Sequence, residues 1–406
     1  TGKGREKVIE LLSPAGNRER LEYALAYGAD AVYMAGSRYS LRAFADNFEP
    51  DELKSALELV HSKGKKAYIT VNIYAHNSDI DGMEDYFRFL YDIGADAVLV
   101  SDLGVLEAAK KGAPELPVHI STQANVTNYA AARFFCNAGA ERIVLARELS
   151  IEEIALIHQK VPQAELEAFV HGAACISYSG RCLLSDYLTG RSANQGKCAQ
   201  PCRWGYELVP QGRADSFPIA QDERGTYILN SKDLCMIDHL GELADAGVTS
   251  FKIEGRMKTA YYTAAVTNAY RRAIDRLEAG LEPDPALKEE LAKAANREFT
   301  TGFYFGPVQN GQRYESSKCR QSHEFSAVVL SSNGEYLTLE QRNRFRVGDV
   351  LEVLSPEPSR CGRKFTVESI ISSQGCSVQA APNPQERVKV PCTLRLEYMD
   401  ILRRKL

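Results

Sequence analysis

The sequence predicts an α/β protein: a (β/α)8 TIM-like barrel with a long cysteine-bearing insertion and a small C-terminal β-barrel domain. Three observations lead there. Roughly the first 260 residues alternate short apolar strands with amphipathic stretches, eight such strands can be counted, and the text then changes to Gly- and Pro-punctuated β segments. Repeated βα units build a parallel sheet, and eight of them close it.

The expected strands are Glu10–Pro14, Ala31–Gly36, Ala67–Asn72, Ala97–Asp102, Val118–Thr122, Arg142–Ala146, Leu166–Val170 and Ser250–Glu254. Between them, Pro50-Asp51-Glu52 opens an i, i+3, i+4 apolar pattern that ends near Gly64, the signature of a helix with a proline in its first turn. The phrase Gly-Ala-Asp-Ala-Val closes a helix and opens a strand at Gly28–Val32 and again at Gly94–Val98, with a weaker echo at Gly139-Ala140-Glu141. That repeat is architecture, a helix-to-strand turn. The rhythm breaks between Cys175 and Leu234, far longer than an ordinary βα loop. A helix from Thr259 to about Ala279 precedes β segments at Phe325–Leu330, Glu335–Leu339, Val350–Leu354 and Cys392–Tyr398. The expected domains are therefore 1–319, a barrel with its insertion at about 175–235, and 320–406, a small β barrel.

Composition narrows the class. Over 406 residues the chain is 44% hydrophobic and 25% charged, ordinary for a globular protein with a sizeable core. No apolar run reaches the length of a membrane span and Thr1–Glu10 is polar, so a cytoplasmic protein with no membrane partner is expected. The net charge of -4 gives no global basic field, but residues 320–406 hold 13 Lys and Arg against 10 Asp and Glu, an excess of the sign RNA prefers.

Ten cysteines without a secretion signal suggest metal ligands or reactive thiols before disulfides. Cys175, Cys182, Cys198 and Cys202 fall within 28 residues as C-x6-C-x15-C-x3-C, with Cys235 further on. Thiolates gathered in fours suit an iron-sulfur cluster or a structural zinc. Zinc sites more often begin with C-x2-C, and a C-x3-C-x2-C radical cluster needs a cysteine where Gly205 stands, so an all-cysteine cubane is the preferred reading. Ser177, Ser179, Gly180, Asn194, Gln195 and Gly196 supply turns and donors around it. Cys136, Cys319, Cys361, Cys376 and Cys392 lack such company.

Long runs of text carry a resemblance: Glu10–Gly16, Val170–Ala173, Tyr178–Ser185, Gly196–Trp204, Asn230–Asp233 and Lys252–Arg256. With these the chain resembles the collagenase-like peptidase family thirty-two, of unknown catalytic type, and within it the tRNA hydroxylation branch. The resemblance implies a 4Fe-4S cluster and oxygen-independent, prephenate-dependent formation of 5-hydroxyuridine at the tRNA wobble position. Carried over, the ligands are Cys175, Cys182, Cys198 and Cys202, with Cys235 as an alternative fourth.

In such a barrel the working residues project from the C-terminal ends of strands. Gln123, Asn125, Arg147, Glu148 and His171 are the candidate catalytic groups, and Asn72, Arg181, Lys252 and Arg256 the candidate substrate contacts, with Ser101, Asp102 and Ser121 nearby. Amides and hydroxyls after an apolar strand suit reading a base or an organic acid; helix caps and barrel filler are the duller alternative. A small organic acid such as prephenate calls for guanidinium groups, which favours Arg147, Arg181 and Arg256 over lysines. His171 before Cys175 would suit a cysteine protease, but a thiolate bound to iron is no nucleophile, and neither H-E-x-x-H nor G-x-S-x-G occurs. Trp204 and Tyr206 suit stacking on a base or covering the cluster. The expected function is tRNA hydroxylation, with a peptidase and a non-catalytic RNA-binding scaffold as competitors.

Overall fold

The computed structural model describes residues 9–40, 47–175, 177–204, 220–222, 225–227, 231–307 and 320–406. Eight parallel strands form a closed ring: β1 (Glu10–Pro14), β2 (Ala31–Met34), β3 (Lys66–Thr70), β4 (Ala97–Val100), β5 (Val118–Ile120), β6 (Arg142–Val144), β7 (Glu165–Ala173) and β8 (Val248–Ile253). Strand β8 completes the ring, Phe251 lying opposite Leu11 of β1 on one side and Ala168 of β7 on the other. All eight fall on the segments expected from the sequence. Helices from Arg18–Ala26 after β1 to Ala260–Glu278 after β8 cover the outside. Asn17, Asp102, Asn128, Ser150 and Thr259 accept first-turn amides of five of them, which satisfies donors the helix itself cannot.

The repeated Gly-Ala-Asp turn has a physical basis at each copy. Gly28 and Gly94 take φ of +105° and +87°, the left-handed region where a side chain is strained. The aspartate that follows caps a neighbouring strand: Asp30 accepts the Leu11 amide at 3.0 Å and Asp96 the Ala67 amide at 2.8 Å.

The N-terminal half of the barrel is ionic inside. Arg142 reaches Glu10 at 2.6 Å and Glu167 at 3.2 Å, and Lys252 reaches Glu167 at 2.7 Å. Tyr68 and Ser250 donate to Glu10 at 2.6 and 2.8 Å. Each buried charge thus has an opposite charge and a hydrogen bond, the condition under which ions are tolerated in a core.

The sequence marks Cys175 to Leu234 only as a break in the βα rhythm, and the structure adds a strand at its end. β7 overruns the barrel to Ala173, and Asp233–Cys235 returns antiparallel to it, Asp233 opposite Ala173 and Cys235 opposite His171. Three residues are too short to show a period, and the helix begins only at Leu240. The cysteine-bearing excursion therefore leaves and returns on one antiparallel stem.

At the C-terminus an eight-stranded antiparallel sheet runs in the order Lys364–Thr366, Val350–Leu354, Ile401–Lys405, His323–Ser332, Tyr336–Gln341, Arg387–Pro391, Ile370–Ser372, Ser377–Val378. It has its own core of Val329, Leu339, Leu351, Val390 and Leu402 among others. The expected strand at Cys392–Tyr398 is absent. Its alternating leucines mimic a strand, but Leu396 fills the core from a loop, and Met399 at φ +70° turns the chain into the last strand.

This sheet is bolted to the barrel. The Tyr27 hydroxyl bonds the carbonyls of Leu354 and Met399 at 3.0 and 2.9 Å. Arg403, wholly buried, pairs with Glu290 after the barrel and with Glu352 in the sheet, and Lys293 reaches Glu352 at 2.7 Å. Burial alone would raise the Glu352 carboxyl, but the hydrogen bonds from Lys293 and Arg403 outweigh it and hold the group at about 2. Arg403→Ala removes the buried cation that Glu290 and Glu352 share, leaving them only the less buried Lys293 and Lys364, and is expected to lower the unfolding free energy by about 3 kcal/mol, read from urea midpoints. Because the Glu352 pKa is depressed on folding, its contribution is complete above the ordinary value of 4.5 and is lost as pH falls toward 2; Glu352→Gln should abolish that portion of the acid sensitivity.

Candidate functional site

The C-terminal ends of β3 to β8 form the barrel mouth, and the excursion is tied down onto it. Ser101 Oγ donates to the Asn72 carbonyl at 2.9 Å, and Asn72 Nδ2 lies 3.4 Å from Ser121 Oγ. Ser121 caps the turn Thr122–Ala124, which carries Gln123. Asn125 then adopts φ +54°, a conformation asparagine tolerates better than most residues. Its Nδ2 bridges the carbonyls of Gln123 and Ser179, each at 2.9 Å. The Tyr74 hydroxyl donates to the Gln123 carbonyl, and the Tyr74 amide to Asn194. Gly180, at φ +74°, lies so close that a β-carbon there would stand 2.4 Å from Gln123 Oε1 and 2.5 Å from a Tyr74 ring carbon. The side-chain oxygens of Gln123 and Asn125 are buried and accept no hydrogen bond among the described residues.

The charged candidates separate by place. Arg147 lies over the Phe169 ring at 4.0 Å, donates to the Ala173 carbonyl at 2.9 Å and is 3.8 Å from Glu254. Glu148 beside it is half-buried, and burial raises its carboxyl above the usual range. Arg181 is exposed on the excursion. Arg256 is buried and donates to Thr70 and Ser40, both at 2.9 Å. Lys252 stands not at the mouth but in the barrel interior with Glu167. Asp102 is the helix cap described above. His171 is buried between the rings of Tyr262, Tyr270 and Phe299. Burial pushes it down to about 4, so the imidazole is neutral at pH 7.

Cys175 and Cys198 are exposed, Cys182 and Cys202 half-buried, and none forms a disulfide. Their segment is compact: the helix Leu184–Thr189 packs on the turn Pro201–Arg203, and the buried Ser185 hydroxyl accepts the Ala199 amide at 3.0 Å. Among the described residues no three His, Cys, Asp or Glu side chains are gathered as ligands of a metal ion. The donor set is nonetheless all thiol, as soft centres require, and the Gln200 amide already points at Cys198 Sγ at 3.3 Å, the kind of contact that stabilises a ligating sulfur. By donor chemistry the four residues fit a thiolate-bound cluster. Cys235 differs. It lies buried in the stem, the Tyr270 hydroxyl is 3.8 Å from its sulfur, and burial raises its thiol, the reverse of what favours a thiolate.

Sequence reasoning missed Tyr74, Ser185 and Tyr270. Tyr74 was within reach of it, two residues past Asn72 at the same strand end. Ser185 and Tyr270 carry no signal, because their roles are set by what packs beside them. Asn230, Gln195 as a side chain, Gly205 and Tyr206 lie outside the described residues.

Comparison with known proteins follows the same division of the chain. The family model described as Peptidase family U32 matches residues 16–313, and that of the Peptidase family U32 C-terminal domain matches 321–403. The chain is similar to tRNA hydroxylation protein P1 of Bacillus subtilis, 38% identical over 98% of this chain and 95% of that one. It is also 38% identical to tRNA hydroxylation protein P of Escherichia coli, over 97% and 96%. A 23S rRNA 5-hydroxycytidine C2501 synthase of Escherichia coli is 40% identical over 66% of this chain and 40% of its own. No described helix is long and apolar enough to cross a membrane.

Two outcomes test this geometry. Gly180→Ala should destabilise by about 1–3 kcal/mol more than Gly190→Ala, since both share the left-handed backbone but only Gly180 lacks room; thermal unfolding and protease cutting within the excursion read the difference. The His171 ring should titrate near 4 in nuclear magnetic resonance spectra. Because its pKa is depressed on folding, the fold should lose stability as pH falls from the ordinary 6.5 toward that value.

Proposed function

The chain belongs to peptidase family U32, and from that premise we propose that it is a tRNA hydroxylase that converts the wobble uridine to 5-hydroxyuridine, with an iron-sulfur cluster on Cys175, Cys182, Cys198 and Cys202. The observation that carries the reading is the likeness, nearly end to end, to a tRNA hydroxylation protein. The rRNA 5-hydroxycytidine synthase, similar over two thirds of the chain, supports pyrimidine hydroxylation as the shared chemistry.

The residues at the mouth divide the work. Gln123 and Asn125 set buried, unoccupied acceptor oxygens behind the mouth where the excursion covers it, and Asn72 and Ser121 extend that polar lining. Arg147, stiffened by Phe169 and Glu254, holds a carboxylate of prephenate or a similar organic acid. Glu148, whose burial favours the protonated form, is the group that exchanges a proton there. Arg256 and His171 act from behind, Arg256 tying β8 to Ser40 and Thr70, and His171 packing neutral beneath the stem. A cluster held by the four cysteines would supply one-electron transfer; exchanging C5–H for C5–OH is a two-electron oxidation of the base, whose oxygen atom and oxidising equivalents are assigned to the co-substrate and not to residues of the chain.

Nothing at the site favours peptide hydrolysis. His171 is walled in by aromatic rings, and the thiol beside it, Cys235, is buried with a raised pKa, so the pair is not an activated nucleophile and base.

The test is nucleoside mass spectrometry of tRNA from a strain lacking this gene and every related hydroxylase. Wild-type chain should restore 5-hydroxyuridine derivatives and Cys182→Ala should not. Full restoration by Cys182→Ala would remove the cluster from the reading, and no restoration by the wild type would remove tRNA hydroxylation itself.

A further inference from the structure

The helix Leu184–Thr189 rides on the cysteine excursion with one side committed and the other bare. Ser185 faces inward, wholly buried and bonded to the Ala199 amide. At about 100° per residue Tyr187 is turned to the opposite side, and it is 83% exposed, more than any other large apolar side chain described. Leu183, Leu184 and Leu188 join it at i, i+1, i+4, i+5 spacing, which normally marks a stripe packed into a core. Here all four are more than a third exposed. Tyr178 before the helix and Trp204 after it, at 48% and 42% exposure, add two further rings to the same small unit.

The segment that carries these rings is one-sided in its charge. Between Ser177 and Trp204 stand Arg181, Arg191, Lys197 and Arg203 against Asp186 alone, in a chain whose net charge is -4. Asp186 is itself engaged, accepting the Ala193 amide at 3.3 Å. A leucine stripe by itself would suit another protein. Exposed ring faces set among cations suit a single-stranded polyanion, because bases of any identity stack on aromatic faces and phosphates collect the positive charge. The unit also borders the mouth, since Gly180 packs against Gln123 and Tyr74.

We propose that the outer face of the excursion, centred on Tyr187, grips the single-stranded loop of the RNA substrate, stacking bases on Tyr187 and Trp204 and holding phosphates with Arg181 and Lys197. The inference rests on the RNA-hydroxylase reading and adds to it the place where the substrate lies.

The experiment is an anisotropy titration of anaerobically purified full-length protein with a labelled tRNA transcript, and with an RNA duplex of equal length as comparison. Tyr187→Ala should weaken tRNA binding about tenfold or more, and Tyr187→Phe, which keeps a ring, about twofold at most. Lys197→Glu, at an exposed position, should weaken it and flatten its salt dependence. The visible spectrum and thermal midpoint should stay unchanged; if Tyr187→Ala alters them, Lys197→Glu and Tyr187→Phe carry the decision. Wild-type affinity in both Tyr187→Ala and Lys197→Glu would overturn the proposal. So would self-association of the wild type that Tyr187→Ala abolishes in sedimentation, which would assign the stripe to a second copy. Hydroxylation by the wild type with no effect of these variants on binding sinks the surface alone. Binding that depends on Tyr187 without any hydroxylation sinks the hydroxylase reading and leaves the surface standing.

Discussion

Glu167, wholly buried on β7, sits between Lys252 of β8 and Arg142 of β6, and the ring depends on that arrangement. A carboxylate in an apolar interior is tolerable only if cations and donors surround it, and here they come from the two strands flanking its own. Arg142 passes the link across the barrel to Glu10 on β1, where Ser250 of β8 and Tyr68 of β3 also converge. The network therefore spans the seam at which the last strand meets the first. A slip of one residue in β8 would turn Lys252 outward and leave Glu167 half-compensated, so electrostatics enforces the register that the apolar layers alone would specify less strictly.

The same arrangement decides which cations reach the mouth. Lys252 is bound to the interior and Arg256 to hydroxyls behind the rim, while Arg181 is exposed on the excursion and Arg147 is only partly buried. This division was not legible in the sequence, where Lys252, Glu254, Arg256 and Lys258 alternate as one charged series through the end of the eighth strand. Strand periodicity says that alternate side chains face inward, but only the partner on another strand says whether an inward cation is a core ion or a ligand.

Much else could be read directly. The eight barrel strands stand where their apolar runs and the repeated Gly-Ala-Asp turns indicated, because local composition and burial agree there. Failures came where length or environment overrode the local pattern. Asp233–Cys235 is too short to announce itself, and Cys392–Tyr398 alternates like a strand while serving as a largely exposed loop anchored by Cys392 and Leu396. His171 invites a catalytic role by its position at a strand end, yet three rings enclose it, and no sequence window contains Tyr262, Tyr270 and Phe299 together with it. The cysteine spacing was legible as a motif, whereas the ties that fasten its segment to the mouth, Asn125 to Ser179 and Tyr74 to Asn194, needed the fold.

The antiparallel stem of β7 with Asp233–Cys235 brings the two ends of a long excursion together before any of the chain between them is considered. Closing a loop whose ends are already held costs little more when the loop grows, about 0.6 kcal/mol for each doubling of length. Insertions and deletions between Ala173 and Asp233 are thus nearly neutral for the barrel, whose strands and interior ions lie on the far side of the stem. Within this architecture, descendants of one barrel can exchange the segment that covers the mouth as a cassette without reopening the ring that supports it.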